Sequence, residues 1–129
     1  MPNNTTQDGF TLVELLIAAV IIAVGILGWA KTQDSSIKGR AISNGITTAS
    51  EMALASLEDL ALKYQKNPPS NDLGPTTGPT INAQGVAYTR TWSISKDKIK
   101  SSIWVIDVTI SWNHYGPHSV QYQRVIAGG

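Results

Sequence analysis

The residue with the sharpest chemical demand in this sequence is Glu14. It lies in a run from Phe10 to Ala30 that carries no other charged side chain. As a helix that run would extend about 31 Å, enough to cross the hydrocarbon core of a bilayer. An ionised carboxylate in such surroundings costs several kcal/mol unless it is paired or hydrogen-bonded. The chemistry open to Glu14 is therefore ion pairing with a cation, and a position near a helix N-terminus favours its negative charge. Other constellations are weaker. His114 and His118 are four apart, but Gly116 and Pro117 between them deny a helical metal face, and no third ligand sits at a suitable spacing. They read as part of a solvated turn. Lys96, Lys98 and Lys100 form a small basic cluster interrupted by Asp97, again the pattern of a solvated turn, with nucleic-acid contact as the lesser alternative.

No glycine-rich phosphate loop, Ser-His-Asp set or paired-carboxylate arrangement stands out. The chain does not read as an enzyme, and neither cofactor nor metal is expected. It has no cysteine, which removes disulfides, thiolate metal sites and Cys nucleophiles. The formal charge of +1 over 129 residues does not point to a nucleic-acid partner.

The element that must position Glu14 is the apolar run itself, and the residues allow two plain readings of it. One is a secretory signal peptide cut after Gly28-Trp29-Ala30, although the leader holds no Lys or Arg and the apolar segment contains Glu14. The other is a single-pass anchor whose Glu14 snorkels to the interface. Neither accounts for the Gly9-Phe10 junction.

Gly9-Phe10-Thr11-Leu12-Val13-Glu14-Leu15-Leu16-Ile17-Ala18, behind a short polar leader, resembles the class III signal and N-terminal helix of type IV pilins and of the related pseudopilins of type II secretion. The resemblance implies that a prepilin peptidase cuts after Gly9 on the cytoplasmic side, removing residues 1–9 as a leader peptide, and methylates the new N-terminal amine of Phe10. It implies too that Glu14 is an assembly residue, neutralising the Phe10 amine of its own chain or of a neighbour in the filament. Losing Asp8 with the leader raises the formal charge by one. Charge counting alone, with Lys31, Lys38 and Arg40 after the span, would place the N-terminus outside. The resemblance places it inside.

Beyond the transmembrane or filament-core segment, 10–30, the chain turns amphipathic over 31–67. Ile42, Ile46, Ala49, Ala53, Leu57, Leu60 and Tyr64 recur at intervals of three and four and predict one helical stripe. Gly25, Gly28, Gly39 and Gly45 are candidate weak points or close-packing points of this helix. Asn67-Pro68-Pro69 ends it. Residues 68–85 are rich in Pro and Gly and read as a long loop. Three alternating stretches close the chain, carrying Val86, Tyr88, Trp92 and Ile94; then Trp104, Ile106, Val108, Ile110 and Trp112; then Val120, Tyr122 and Ile126. By parity Arg90 and Arg124 share that apolar face, as rim residues that snorkel or pair with Glu51, Glu58 or Asp59.

The expected fold is α+β: a long N-terminal helix, membrane-spanning in its first half, packed through its C-terminal half on a small three-stranded antiparallel meander. The sheet over 86–129, with helix residues 42–67, would form the soluble domain. The C-terminal pattern, with Val108-Thr109-Ile110-Ser111-Trp112 and His118-Ser119-Val120, is similar to the PilV-type minor pilins. Those resemblances imply a minor pilin that helps initiate or prime type IV pilus assembly. Its partners would be other pilins, the prepilin peptidase and, before assembly, inner-membrane lipid. The C-terminal domain would lie outside the cytoplasm and later in a filament at the cell surface. A minor pseudopilin of a type II secretion system, or a pilin module that binds DNA or a surface, are the alternatives.

Overall fold

The computed structural model describes residues 9–127. A helix, α1, runs over Leu12–Lys66, and five strands follow: β1 Leu73–Thr77, β2 Ile81–Ala83, β3 Val86–Lys96, β4 Ile103–Asn113 and β5 Pro117–Ala127. The chain divides into two compact units between Lys38 and Gly39. In the first, every described side chain is exposed, including the whole apolar run. Helical structure continues through Gly25 and Gly28, where a Cβ would meet only open space.

The second unit holds the core. Its sheet is antiparallel in the order β1-β3-β4-β5, with β2 also paired to β3. The α+β arrangement follows from two matched periodicities. Residues two apart on β3 and β4 put Tyr88, Ile94, Trp104, Ile106, Val108, Ile110 and Trp112 on one buried face. Residues three and four apart on α1 bring Ala49, Ala53, Leu57, Leu60 and Tyr64 against them. Each aliphatic side chain so buried contributes about 1.5–3 kcal/mol. Polar ties cross the same seam: Tyr122 donates its hydroxyl to Ser50 Oγ at 3.1 Å.

Three expectations need correcting. Residues 68–85 are not only a loop, since β1 and β2 lie within them and the sheet has five strands where three were expected. Pro75 is tolerated because β1 is an edge strand with an irregular register between Leu73 and Thr76. The link from β2 to β3 is the two-residue turn Gln84-Gly85, both at positive φ (52° and 77°), which suits the twist of a hairpin. Second, Ile46 does not join the stripe and is 44% exposed. The buried position beside it is Gly45, where an added Cβ would come within 2.9 Å of Trp112 Nε1. Third, Arg90 does not pair with Glu51, Glu58 or Asp59; its Nη1 donates to Ser56 Oγ at 3.1 Å, and Ser56 in turn donates to the Met52 carbonyl at 2.7 Å. Arg124 is exposed.

The close seat of Trp112 on Gly45 gives a testable consequence. Gly45→Val should lower the stability of the second unit by about 1–3 kcal/mol, because overpacking outweighs the better helix propensity of the new side chain. Thermal unfolding of the full chain in detergent micelles measures it; an unchanged or raised midpoint would contradict the close packing.

The β3–β4 connection is organised by Asp97. Its Oδ1 accepts from the backbone N–H groups of Ile99 (2.8 Å) and Lys100 (2.9 Å), while Asp97 N donates to the Ile103 carbonyl at 2.9 Å. The Lys100 and Ile99 amides hold the Asp97 carboxyl below its ordinary value of 3.8. A depressed carboxyl stabilises the folded turn above that ordinary value and loses the contribution as pH falls through the folded one. Amide exchange at Ile99 and Lys100, corrected for intrinsic rates, should therefore stay constant from neutral pH to about 4 and accelerate below it.

Candidate functional site

The first turn of α1 brings Glu14 and Thr11 together. Thr11 N donates to Glu14 Oε2 at 2.9 Å, Glu14 N donates to Thr11 Oγ1 at 3.2 Å, and the Thr11 hydroxyl donates to the same Oε2 at 3.2 Å. Leu15 N donates to the Thr11 carbonyl at 3.1 Å, the first bond of the helical ladder. Thr-x-x-Glu at a helix start is a capping box, in which each side chain satisfies a backbone donor that the helix leaves free. The sequence carried that signal, yet Thr11 was not among the expected functional residues. Glu14 is thus hydrogen-bonded within its own chain, and its carboxylate rests against the backbone N–H of the residue that follows Phe10.

Gly9 and Phe10 precede the helix without belonging to it, and the Phe10 side chain is 90% exposed. The rest of the proposed leader, residues 1–8, lies outside the described residues. From Leu12 onward α1 is long and apolar enough to cross a membrane, and none of its most apolar window is buried. Leu12, Val13, Leu15, Leu16, Ile17 and Val20 are all exposed on the chain's own surface. Such a surface needs lipid or the helices of other subunits to cover it.

The other candidates lie in the second unit. His118 lies on β5 opposite Trp112, its ring stacked on the indole with 5.5 Å between centroids. Its Nε2 lies 3.2 Å from the His114 carbonyl oxygen, a contact that suits a proton on Nε2. His114 instead meets Tyr115 edge to face at 4.4 Å. A hollow of about 200 Å³ lies between Asn44 and Gly45 of α1 and Gln84, Trp112 and His114 of the sheet. No carboxylate lines it, so nothing there orients His114 as a base. Lys96 places its ammonium 5.1 Å from the centre of the Trp104 ring.

Comparison with known proteins bears on the first site alone. Residues 4–30 match the family described as the prokaryotic N-terminal methylation motif. No curated protein and no solved structure matched the chain. The match takes in Gly9, Phe10, the capping box and the apolar run through Ala30. The chain carries a type IV pilin-like N-terminal methylation motif, set at the head of an exposed apolar helix.

Proposed function

We propose that the protein is a structural subunit of the type IV pilin and pseudopilin class, and within it a minor pilin that helps prime filament assembly. The observation that carries the reading is the methylation motif over residues 4–30 leading directly into an uncovered apolar helix. On this reading a prepilin peptidase cuts between Gly9 and Phe10 and methylates the Phe10 amine. The apolar segment first sits in the inner membrane, with residues 39–129 outside the cytoplasm, and then passes into a helical bundle of other subunits. Glu14 guides that passage. Its carboxylate exchanges the Thr11 N–H for the methylated amine of a neighbour, a charge-assisted contact that strengthens where water is absent. The small second unit, without cysteine, supports a minor role.

The mass and N-terminal sequence of the protein recovered from native membranes and from sheared filaments test the proposal. A chain beginning at Phe10 with one added methyl group is the expected result. A chain beginning at Lys31 would sink it, since the apolar segment would then have been a discarded signal.

A further inference from the structure

One end of the second unit concentrates positive charge around an apolar point. Lys63 and Lys66 occupy the last turn of α1, and Lys96, Lys98 and Lys100 occupy the end of β3 and the turn after it. These five are half of the chain's ten basic side chains. Two carboxylates lie among them at the surface, Asp72 accepting from Lys96 N at 2.8 Å and Asp97 accepting from Ile99 N and Lys100 N, and the lysines remain in excess. Asp59 lies four residues before Lys63 on α1, a neighbour on the same helix face, and no helix carboxylate follows it. At the tip stands Ile99, 92% exposed. The hydrogen bonds to Asp97, with Ile103 N donating to the Lys100 carbonyl at 2.9 Å, fix the backbone that displays it. Beside the tip is a hollow of about 250 Å³ lined by Pro69, Ser70, Lys96, Ser101, Ser102 and Trp104. Three serines and Lys96 are in its lining, and its volume is large enough for one phosphate-bearing headgroup.

We propose that this turn is a docking tip for an anionic phospholipid surface, with Ile99 inserted among the headgroups, Lys98 and Lys100 on the phosphates, and one headgroup seated beside Lys96. A soluble polyanion such as nucleic acid would engage the same lysines chiefly through its phosphates, with little contribution from Ile99. The interfacial region of a bilayer uses both, taking apolar groups into its acyl boundary and drawing lysines to its negative surface. The proposal does not rest on the filament reading, because it concerns the second unit alone.

The test uses the full chain with its apolar helix housed in a nanodisc of phosphatidylcholine, passed over supported bilayers of phosphatidylcholine with or without phosphatidylglycerol. Binding should require phosphatidylglycerol and weaken with salt. Lys98→Gln combined with Lys100→Gln should reduce it about 30-fold. Ile99→Ser should reduce it roughly tenfold. None of these changes removes an acceptor or donor of the Asp97 clamp, and an unaltered unfolding midpoint checks that the turn is intact. Equal binding to both bilayers, or none to either, overturns the proposal. So does an Ile99→Ser variant that binds normally while the lysine variant does not, which would mark a surface for soluble polyanions.

Discussion

Glu14→Gln should leave the protein cut at Phe10 and held in the membrane, yet lower its recovery in sheared filaments on the order of a hundredfold, since one charge of a desolvated pair without its partner costs about 3–5 kcal/mol. The substitution is chosen for what it keeps. Gln can occupy the same place in a capping box, so the bond from Thr11 N survives and the helix still begins at Leu12. Only the negative charge is lost. On the proposed reading processing should be unaffected, because the Gly9–Phe10 junction where the peptidase would cut precedes the helix. Quantitative immunoblotting of membrane and filament fractions against the unaltered protein reads the result. Normal incorporation would mean that the carboxylate serves the capping box alone.

The largest effect on stability is expected at the centre of β4. Ile106 is 0% exposed, pairs with Ile94 on β3 and Arg124 on β5, and belongs to the cluster that α1 covers. Truncating it to Ala removes buried methylenes and leaves a cavity whose walls are themselves strands and helix, unable to collapse inward. Ile106→Ala should therefore cost about 3 kcal/mol. For a unit of this size that lowers the midpoint by roughly 15 °C. Val125→Ala, on the exposed outer face of β5, should stay within about 0.5 kcal/mol. Thermal unfolding of the three proteins in the same detergent, followed by near-ultraviolet circular dichroism, separates them. Equal midpoints would show that the helix does not cover this face of the sheet.

Much of this architecture could be read from residue order because its signals are long and periodic. Eleven-residue strands with Trp, Ile and Val at every second place have one buried face, and the helical stripe has only that face to meet. β1 and β2 escaped because five and three residues cannot establish an alternation. Gly74 and Pro75 disguise β1, and the β2–β3 turn uses Gln84-Gly85 where Asn or Asp before Gly would have announced a hairpin. Ile46 was misplaced for a different reason. Periodicity ranks positions by apolar size, whereas the seam beneath Trp112 selects for smallness, and Gly45 fills that place. Arg90 was put on the correct face, but its acceptor is the Ser56 hydroxyl, which has no charge to reveal it.

The candidate site was legible for a local reason. Gly9, Phe10 and Glu14 stand at fixed offsets against an apolar run, and no tertiary contact is needed to recognise them. Thr11 was equally visible as the first member of Thr-x-x-Glu. Its part in starting the helix is separate from the charge that singles out Glu14. The basic turn shows the opposite case. Lys96, Lys98 and Lys100 could be counted in the sequence, but not the backbone amides that bind the Asp72 and Asp97 carboxylates and fix the turn that carries them.

Trp112 has a consequence for how the molecule can be observed. Its indole N–H is buried without a hydrogen-bond partner, pressed against Gly45, a helix position that lacks a side chain. An indole so placed emits at short wavelength and yields its proton to solvent only when helix and sheet part. Of the four tryptophans, Trp29 lies in the exposed apolar run and Trp92 is only half-buried, while Trp104 is buried at the opposite end of β4. Deuterium exchange at the Trp112 ring nitrogen, followed by NMR, would therefore time the opening of the seam at the Gly45 end, with no label added to the chain.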